Sequence, residues 1–286
     1  MSATAALKAS GLRGQGIARW AGVAFLAAIL AVWVYPFLWM IATAFKPNSE
    51  VFARSGLMPR QFTLENFARA WWDANIANSF MNSVIVAVGT VTIVLVTTAM
   101  IGYSLGRFAF PGRKMIFALL VASAFVPEGY TIIPIYKLLD ALALNESLWG
   151  IILAEAGGGH VLFILLFAGY FSQVPRELAD AAAIDGAGFS RTFVSVMLPL
   201  ARPVVATTVV LQFMNSWNSY FLPLVLTLTR PELQTLGVAM KVFQGEFFSD
   251  WAGLAAAATI SQLPIIVIFL CVQRFFIDGI SGAVKG

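Results

Sequence analysis

The sequence of 286 residues has little charge and almost no cysteine or histidine. Only 11% of its residues are charged, whereas a soluble globular domain has about 25%. Hydrophobic residues make up 59%, and the mean hydropathy is +0.83. A single cysteine, Cys271, and a single histidine, His160, exclude a disulfide framework and a Cys/His metal site. This composition predicts a membrane protein with several spanning segments.

The net charge of +4 does not indicate nucleic-acid binding, because no basic stripe with interleaved aromatic side chains is present. Membrane proteins instead concentrate Lys and Arg in their cytoplasmic loops. Such an excess is therefore expected of this class of protein.

Six apolar segments predict an all-α fold with six transmembrane helices, since a spanning helix needs about 20 residues. The first is too long for the apolar region of a signal peptide, which has about 7–15 residues, so we expect it to be retained, with a kink at Pro36. Gly102 and Gly106 in the second are expected to allow close approach of another helix. The predicted spans are Trp20–Phe45, 80–106, Met115–Tyr136, Leu148–Phe171, Val204–Thr229 and Trp251–Gln273.

A short amphipathic helix is predicted between the first two spans, after Thr63 as its N-cap. Leu64, Phe67, Ala68 and Trp71 follow helical spacing and would share one face. That face would lie either on the outer membrane surface or against the helix bundle, and the sequence favours neither.

The distribution of Lys and Arg predicts the orientation in the membrane. One set of segments (1–19, 107–114, 172–203 and 274–286) holds 11 of these cations, and the other set (46–79, 137–147 and 230–250) holds 7. The richer set is expected to be cytoplasmic. The predicted organisation is a cytoplasmic N-terminus at 1–19, a transmembrane domain at 20–273 with a cytoplasmic loop at 172–203, and a cytoplasmic tail at 274–286.

The charged segment Pro175–Pro203 stands between the fourth and fifth predicted spans. Pro175 suits the first position of a helix, and Gly186 suits its end. A second helix would begin near Phe189 and would not pass Pro199 unbroken. The segment therefore predicts two short helices joined at Gly186, although spacing alone leaves an unspecialised alanine-rich loop open.

This segment also carries a motif. Asp180-Ala181-Ala182, then Gly186, then Val196-x-Leu198-Pro199 resembles the "EAA" coupling motif of ABC-importer permeases, with Asp in place of Glu and Val in place of Ile. Nearly the whole chain resembles the sugar-importer branch of that family, most of all the smaller permease subunit of maltose-type systems. The further stretches that carry the resemblance are 63–67 (TLENF), 107–113 (RFAFPGR), 217–223 (WNSYFLP) and 282–286 (GAVKG).

The resemblance implies a permease that moves a sugar, with a di- or oligosaccharide favoured, into the cytoplasm across a bacterial or archaeal plasma membrane. Its implied partners are a second homologous permease, two ATPase subunits and an extracytoplasmic sugar-binding protein. ATP and Mg²⁺ would be used by the ATPases, while this chain would be no enzyme and hold no cofactor, in keeping with its lack of a phosphate-binding P-loop motif. The implied ATPase-coupling residues are Asp180, Ala181, Ala182, Gly186, Leu198 and Pro199.

Polar residues within the spans are candidates for a substrate pathway, because ionisable groups are costly in a membrane. Glu155 and His160 would lie about 140° apart round one helix, which makes a shared site poor unless the glycines between them change the geometry. Amide and aromatic groups in the fifth span could bind sugar hydroxyls and rings, or could join helices. The candidates for the pathway are Glu128, Asn215, Trp217, Asn218 and Tyr220.

Other functions remain open on the sequence. A permease for a polyol or glycerol phosphate shares these motifs. An ion-coupled secondary transporter could use Glu128, Glu155 and His160 as a relay, although no internal repeat is evident. A membrane enzyme is the weakest alternative, since no nucleophile–base or metal-ligand constellation is present.

Overall fold

The structure, a computed structural model, describes residues 3–53, 56–126, 128–158, 160–245 and 249–283, with the side chains of residues 3–18, 73, 128, 129 and 274–283 left out of that description. Its helices are α1 (Ala3–Ala44), α2 (Glu65–Ala68), α3 (Ile76–Arg107), α4 (Arg113–Ser123), α5 (Ile132–Ala141), α6 (Leu148–Ala156), α7 (Val161–Gln173), α8 (Arg176–Ile184), α9 (Phe189–Leu200), α10 (Arg202–Trp217), α11 (Phe221–Leu226), α12 (Leu236–Ala239) and α13 (Trp251–Ala283).

The described residues contain no β-strand, and their one β-bridge joins Gln244 to Ser249. A π-helical stretch extends α2 at Arg69–Asp73, and another lies inside α9 at Phe193–Met197. Short 3₁₀ turns complete the described secondary structure at Asn48–Glu50, Glu128–Thr131, Pro231–Leu233 and Met240–Phe243. The all-α prediction is confirmed.

Three helices in the described part of the chain are long and apolar enough to cross a membrane: Arg19–Ala44, Ile76–Arg107 and Trp251–Gln273. Two bent pairs raise the number to five if each pair is one span. In the first pair α6 and α7 meet at 54°, and in the second α9 and α10 meet at 80°. The count of six spans therefore stays a prediction.

Three predicted spans are not single helices. The third is divided into α4, of 11 residues, and α5, of 10 residues. The fourth is divided into α6 and α7, and the fifth ends as a helix at Trp217 and resumes as α11 at Phe221. Hydropathy alone does not show such breaks, because it records which residues are apolar and not where the helical hydrogen bonds stop.

The chain divides into two compact units. The first comprises residues 1–70 and 243–260, and in it Asn66 bonds the end of α1, donating to the carbonyls of Ala44 at 2.9 Å and Lys46 at 2.7 Å. An ion pair at 2.8 Å joins Arg69 to Asp250 in the same unit.

The predicted apolar face of α2 is only partly buried: Phe67 is half-buried, and its ring lies 5.0 Å from that of Phe45. Asn66 and Ala70 are buried, whereas Leu64, one of the predicted face, is 60% exposed. The N-cap prediction comes closer: the hydroxyl of Thr63 accepts the Glu65 amide at 3.1 Å, although Leu64 holds the formal cap position. Hydrogen bonds from the Asn66 amide, rather than apolar periodicity, decide which face turns inward.

The second unit comprises residues 71–242 and 261–286, and it is organised around the pair α3–α7. A Cβ on Gly102 would overlap the Cβ of Phe167, and one on Gly106 would lie 2.5 Å from the carbonyl oxygen of Ala168. The predicted close approach at these two glycines is confirmed, and α7 is the helix that approaches. Buried side chains from α3, α7, α9 and the residue after it complete this core: Ala99, Tyr103, Phe167, Phe171, Phe193, Met197 and Ala201.

Candidate functional site

The coupling loop (residues 172–203) contains the two helices that the sequence predicts, with their bend at Gly186. The amide of Gly186 donates to Ala183 at 3.0 Å, and that of Ala187 donates to Ala182 at 2.9 Å. This is the bond pattern of a Schellman helix end, in which the residue after the cap adopts a left-handed conformation. Gly186 has φ +77°, so its lack of a side chain permits the bend.

One helix end differs from its prediction, because Pro175 precedes α8 as its N-cap and the helix begins at Arg176. The second helix does not pass Pro199 unbroken, as predicted: its regular turns are interrupted before the proline, and it ends at Leu200, where the 80° bend follows. A proline lacks the N–H for the carbonyl four residues earlier, here Ser195, and the π-helical stretch Phe193–Met197 lies at that point.

The implied coupling residues fall into two groups by exposure. Asp180, Ala181 and Gly186 are exposed, as is Pro199. Ala182 is instead buried at 8% exposure. Leu198 is partly buried and packs against the aromatic core of the second unit. The surface open to a partner is thus the part of α8 around Asp180 and Ala181, while Ala182 and Leu198 support the loop from inside.

Two side chains outside the motif hold the coupling loop. The guanidinium of Arg107 donates to the carbonyls of Val174 at 2.7 Å and Pro175 at 3.1 Å. The hydroxyl of Tyr170 donates to the carbonyl of Leu200 at 2.6 Å. In the sequence, Arg107 counted only among the cations of segment 107–114 and within a stretch of resemblance, and Tyr170 was not singled out. Both residues have long polar side chains next to the boundary of an apolar span, and this position could have indicated contacts with the loop.

A buried carboxylate joins three helices within the spans. One oxygen of Glu155 on α6 accepts from Ser216 of α10 at 2.5 Å and from Thr90 of α3 at 3.4 Å. Its other oxygen is buried without a hydrogen-bond partner among the described atoms. The two helices that carry Glu155 and Ser216 both end one residue after these side chains, α6 at Ala156 and α10 at Trp217.

The sequence analysis treated Glu155 and His160 as poor partners, and the turn between them changes that geometry. The Nε2 atom of His160 lies 2.9 Å from the backbone oxygen of Glu155, not from its carboxylate. His160 adopts φ 33°, a left-handed conformation at the start of α7. Within the described ranges, no three His, Cys, Asp or Glu side chains lie close enough together to hold a metal ion.

The sequence analysis also missed Ser216. Thr208, Gln212 and Ser216 are all buried and recur every four residues along α10, which places them on one face. The sequence alone could have predicted this face, because polar residues at helical intervals in an apolar span indicate a face turned towards protein.

The predicted pathway residues do not form one group. The side chain of Glu128 lies outside the described residues. Asn215, Asn218 and Tyr220 are exposed, and the Asn218 amide bonds its own helix at Met214, at 2.8 Å. Trp217 is buried and donates to the carbonyl of Ser261 at 3.1 Å, which makes it a packing residue. Neither Glu155 nor Ser216 was among the predicted pathway residues.

A charged cluster lies where the loop after α11 meets the turn before α6. Arg230 bonds Glu146 at 2.8 Å and Glu232 at 2.5 Å. The backbone amide of Glu232 and then the Arg230 guanidinium lower the pKa of the Glu232 carboxyl. Asn78 and Asn82 of α3 donate to the Glu232 carbonyl at 2.6 and 2.8 Å, which fixes this loop to the start of α3.

A model of the binding-protein-dependent transport system inner membrane component family matches residues 100–282, a stretch that includes the bend at Gly186, both bent segments and the Glu155 contact. The chain belongs to this family. It is therefore the membrane permease component of an ABC importer, a transport system that depends on a binding protein.

Named relatives resemble the permease over almost its full length. The probable ABC transporter permease protein YurM of Bacillus subtilis is 33% identical over 92% of this chain and 87% of its own. The diacetylchitobiose uptake system permease protein NgcG of Streptomyces coelicolor is 32% identical over 89% and 86%, respectively. The melibiose/raffinose/stachyose import permease protein MelC of Bacillus subtilis is 33% identical over 92% and 96%.

The permease also shares its fold with a solved structure. A bacterial ABC transporter involved in the import of the acidic polysaccharide alginate has a chain that superposes with a TM-score of 0.79. The alignment covers 92% of this chain and 98% of that one, at 22% identity. The likeness establishes a common permease architecture.

Proposed function

We propose that the permease carries an uncharged di- or oligosaccharide into the cytoplasm, driven by ATPase subunits that dock on α8. The observation that carries this proposal is the exposure of Asp180 and Ala181 on a helix whose neighbour, α9, is anchored in the bundle. Relatives named for diacetylchitobiose and for melibiose, raffinose and stachyose support a sugar as the substrate class.

The proposed assembly has a second homologous permease, two ATPase subunits that use ATP and Mg²⁺, and an extracytoplasmic binding protein. In it the chain would cross a bacterial or archaeal membrane six times, with residues 1–19 and 274–286 in the cytoplasm; Lys285 of that tail lies outside the described residues. The excess of Lys and Arg in the segments assigned to the cytoplasm supports this orientation. This chain itself would perform no catalysis.

The mechanism follows from the geometry of the coupling loop. Asp180 would face a cationic group on the ATPase, and Ala181 would allow a close contact. Closure of the ATPases on ATP would displace α8, and Gly186 would keep its angle to α9. Transport would then follow a switch between two conformations that the ATPases bind with different affinity.

The scarcity of cations in the spans supports an uncharged substrate over glycerol phosphate, because a phosphate ester is expected to bind Lys or Arg. The polar side chains at the Glu155 contact are a carboxylate, two hydroxyls and, one turn away, the Gln212 amide, with no Lys or Arg in α6 or α10 beyond the start of α10. These helices therefore offer an anionic substrate no cationic partner. A polyol fits the same chemistry and is the second candidate within this class.

Gentle purification of the tagged chain from its native membrane tests the assembly. We expect a second permease and an ATPase to accompany it, and proteoliposomes made from the complex to take up neutral oligosaccharides only with ATP and the binding protein. A chain that purifies alone and transports without ATP, with uptake abolished by an ionophore, would overturn the proposal in favour of a secondary transporter.

A further inference from the structure

Arg107 links the end of α3 to the start of the coupling loop. It is the last residue of α3, and its two terminal nitrogens donate to the successive carbonyls of Val174 and Pro175. These two residues connect α7 to α8. One side chain therefore joins three helices at the point where the loop leaves the bundle.

The chemistry of this contact suits a guanidinium. Val174 caps the C-terminus of α7, where carbonyls lack intrahelical donors and the helix dipole favours a cation. The rigid fork of Arg107 satisfies two neighbouring carbonyls at once, which the single ammonium of a lysine cannot do in the same geometry. The contact thus fixes the direction in which the chain enters α8.

A second contact holds the opposite end of the loop. Tyr170 on α7 donates to the carbonyl of Leu200, the last residue of α9. Between the two ends, the ring of Tyr103 on α3 lies 5.3 Å from that of Phe171 and 5.2 Å from that of Phe193. The loop is therefore fastened to α3 and α7 at its start, its end and its middle.

We propose that Arg107 and Tyr170 are positioning residues that make the coupling loop, α3 and α7 move as one body, so that displacement of α8 carries the second span as well as the fourth and fifth. The two glycine contacts support this, because α3 and α7 touch at backbone distance and cannot shift relative to each other without a clash. The inference rests on the proposed function, since it assumes that an ATPase displaces α8.

Coupling in the purified complex gives the first test. In Arg107→Gln we expect basal ATP hydrolysis and assembly to be unchanged, and sugar taken up per ATP to fall about tenfold, the effect of losing two charged hydrogen bonds. Arg107→Lys should lose about threefold, since it keeps a cation beside the carbonyls, and Tyr170→Phe about twofold, since it loses one hydrogen bond from a neutral donor. The matched control is Arg113→Gln, which removes one positive charge from the same segment, 107–114. It should behave as wild type.

Spin-label distances give a second test that does not depend on transport. Met100 on α3 and Arg176 at the start of α8 are each replaced by cysteine in a Cys271→Ser background, because Cys271 is the single cysteine of the chain and is exposed. With Arg107 present, we expect one narrow distance that does not change on addition of ATP. With Arg107→Gln, the distance should broaden in the resting state and shift with ATP.

The outcomes separate this inference from the proposed function. A wild-type complex that shows no ATP-driven uptake defeats the proposed function, while the resting-state distances still report whether Arg107 fixes the loop to α3. Normal sugar uptake per ATP in Arg107→Gln, or equal distance changes with and without Arg107, would overturn the inference. If Arg107→Gln does not accumulate, Arg107→Lys and Tyr170→Phe decide by the same measurements.

Discussion

The two helices of the coupling loop are neighbours in sequence but differ in how much of them the rest of the protein covers. Of the nine described residues of α8, Ala182 is the buried one, and Ile184 is 86% exposed. In contrast, α9 buries Phe193 at 9% and Met197 at 0% exposure. Composition already separates them in part, because α8 has three charged residues among nine, whereas Arg191 is the single charged residue among the twelve of α9.

This contrast indicates a division of labour within one loop. A helix with little contact to its own subunit has its surface available for another protein, whereas a helix whose apolar side chains fill a core moves with that core. The Schellman turn at Gly186 joins the two, so a force on the exposed helix reaches the packed one through a defined backbone angle. The predictions below test whether the two helices differ in this way.

The largest expected effect is on stability, from truncation in the packed helix. Met197→Ala should lower the free energy of unfolding by about 2–5 kcal/mol, because it leaves a cavity in the aromatic core. Ile184→Ala, on the exposed helix, should change it by less than about 0.5 kcal/mol. Denaturant titration of both variants in detergent checks this pair, and equal losses would remove the contrast between α8 and α9.

A smaller effect is expected from enlarging the buried position of α8. Ala182→Leu should cost about 1–3 kcal/mol, since the added carbons enter a packed space. Ala183→Leu makes the same change at the next, exposed position and should be close to neutral. The same titration measures both; a neutral Ala182→Leu would mean that α8 has no packed side at all.

The bend between the helices should depend on its backbone conformation and not on space. Gly186→Leu forces a side chain onto a residue at φ +77°, which costs about 1–2 kcal/mol, while nothing lies within 4 Å of the added Cβ. We expect the variant to insert into the membrane and to hydrolyse ATP without transport. The control is Gly188→Ala, at φ −72° and equally open. Normal uptake by Gly186→Leu would contradict the coupling role of the bend.

The smallest effect on stability is expected at Asp180, where a substitution should alter transport but not folding. Because its side chain is exposed, Asp180→Ala should change the free energy of unfolding by less than about 0.5 kcal/mol. Uptake per ATP should nevertheless fall, since the contact with the ATPase loses its charge. Asp185→Ala, an exposed acid at the other end of α8, should retain uptake, and transport assays on the two variants would show whether position 180 is special.

Local chemistry predicted much of this fold. The glycines at 102 and 106 indicated a close helix contact, where a side chain would clash, and Gly186 indicated the bend, where φ of +77° disfavours a side chain. The helix ends at Ala156 and Trp217 were not predicted. The glycines that follow Ala156 are a local signal for the first, although they were considered only for the angle between Glu155 and His160. The contact of Glu155 with Ser216 joins residues 61 positions apart, and no local pattern contains it.

The candidate site was predictable to a smaller extent. Motif spacing identified the exposed Asp180 and Ala181, but it could not show that Ala182 turns inward, because burial depends on what α9 places beside it. Arg107 was equally hidden, since its partners are backbone carbonyls 67 and 68 residues away. Main-chain acceptors have no sequence signature, so a contact of this kind becomes visible only in three dimensions.

The contact between α3 and α7 also limits which changes in chain length the protein can accept. Gly102 and Gly106 lie one turn apart on α3, and both face α7 with no room for a side chain. One residue inserted between them would rotate one glycine away by about 100° and bring a side chain into its place. Relatives that keep this contact should therefore tolerate insertions in the turn after Arg107. They should tolerate no insertion between the positions of Gly102 and Gly106.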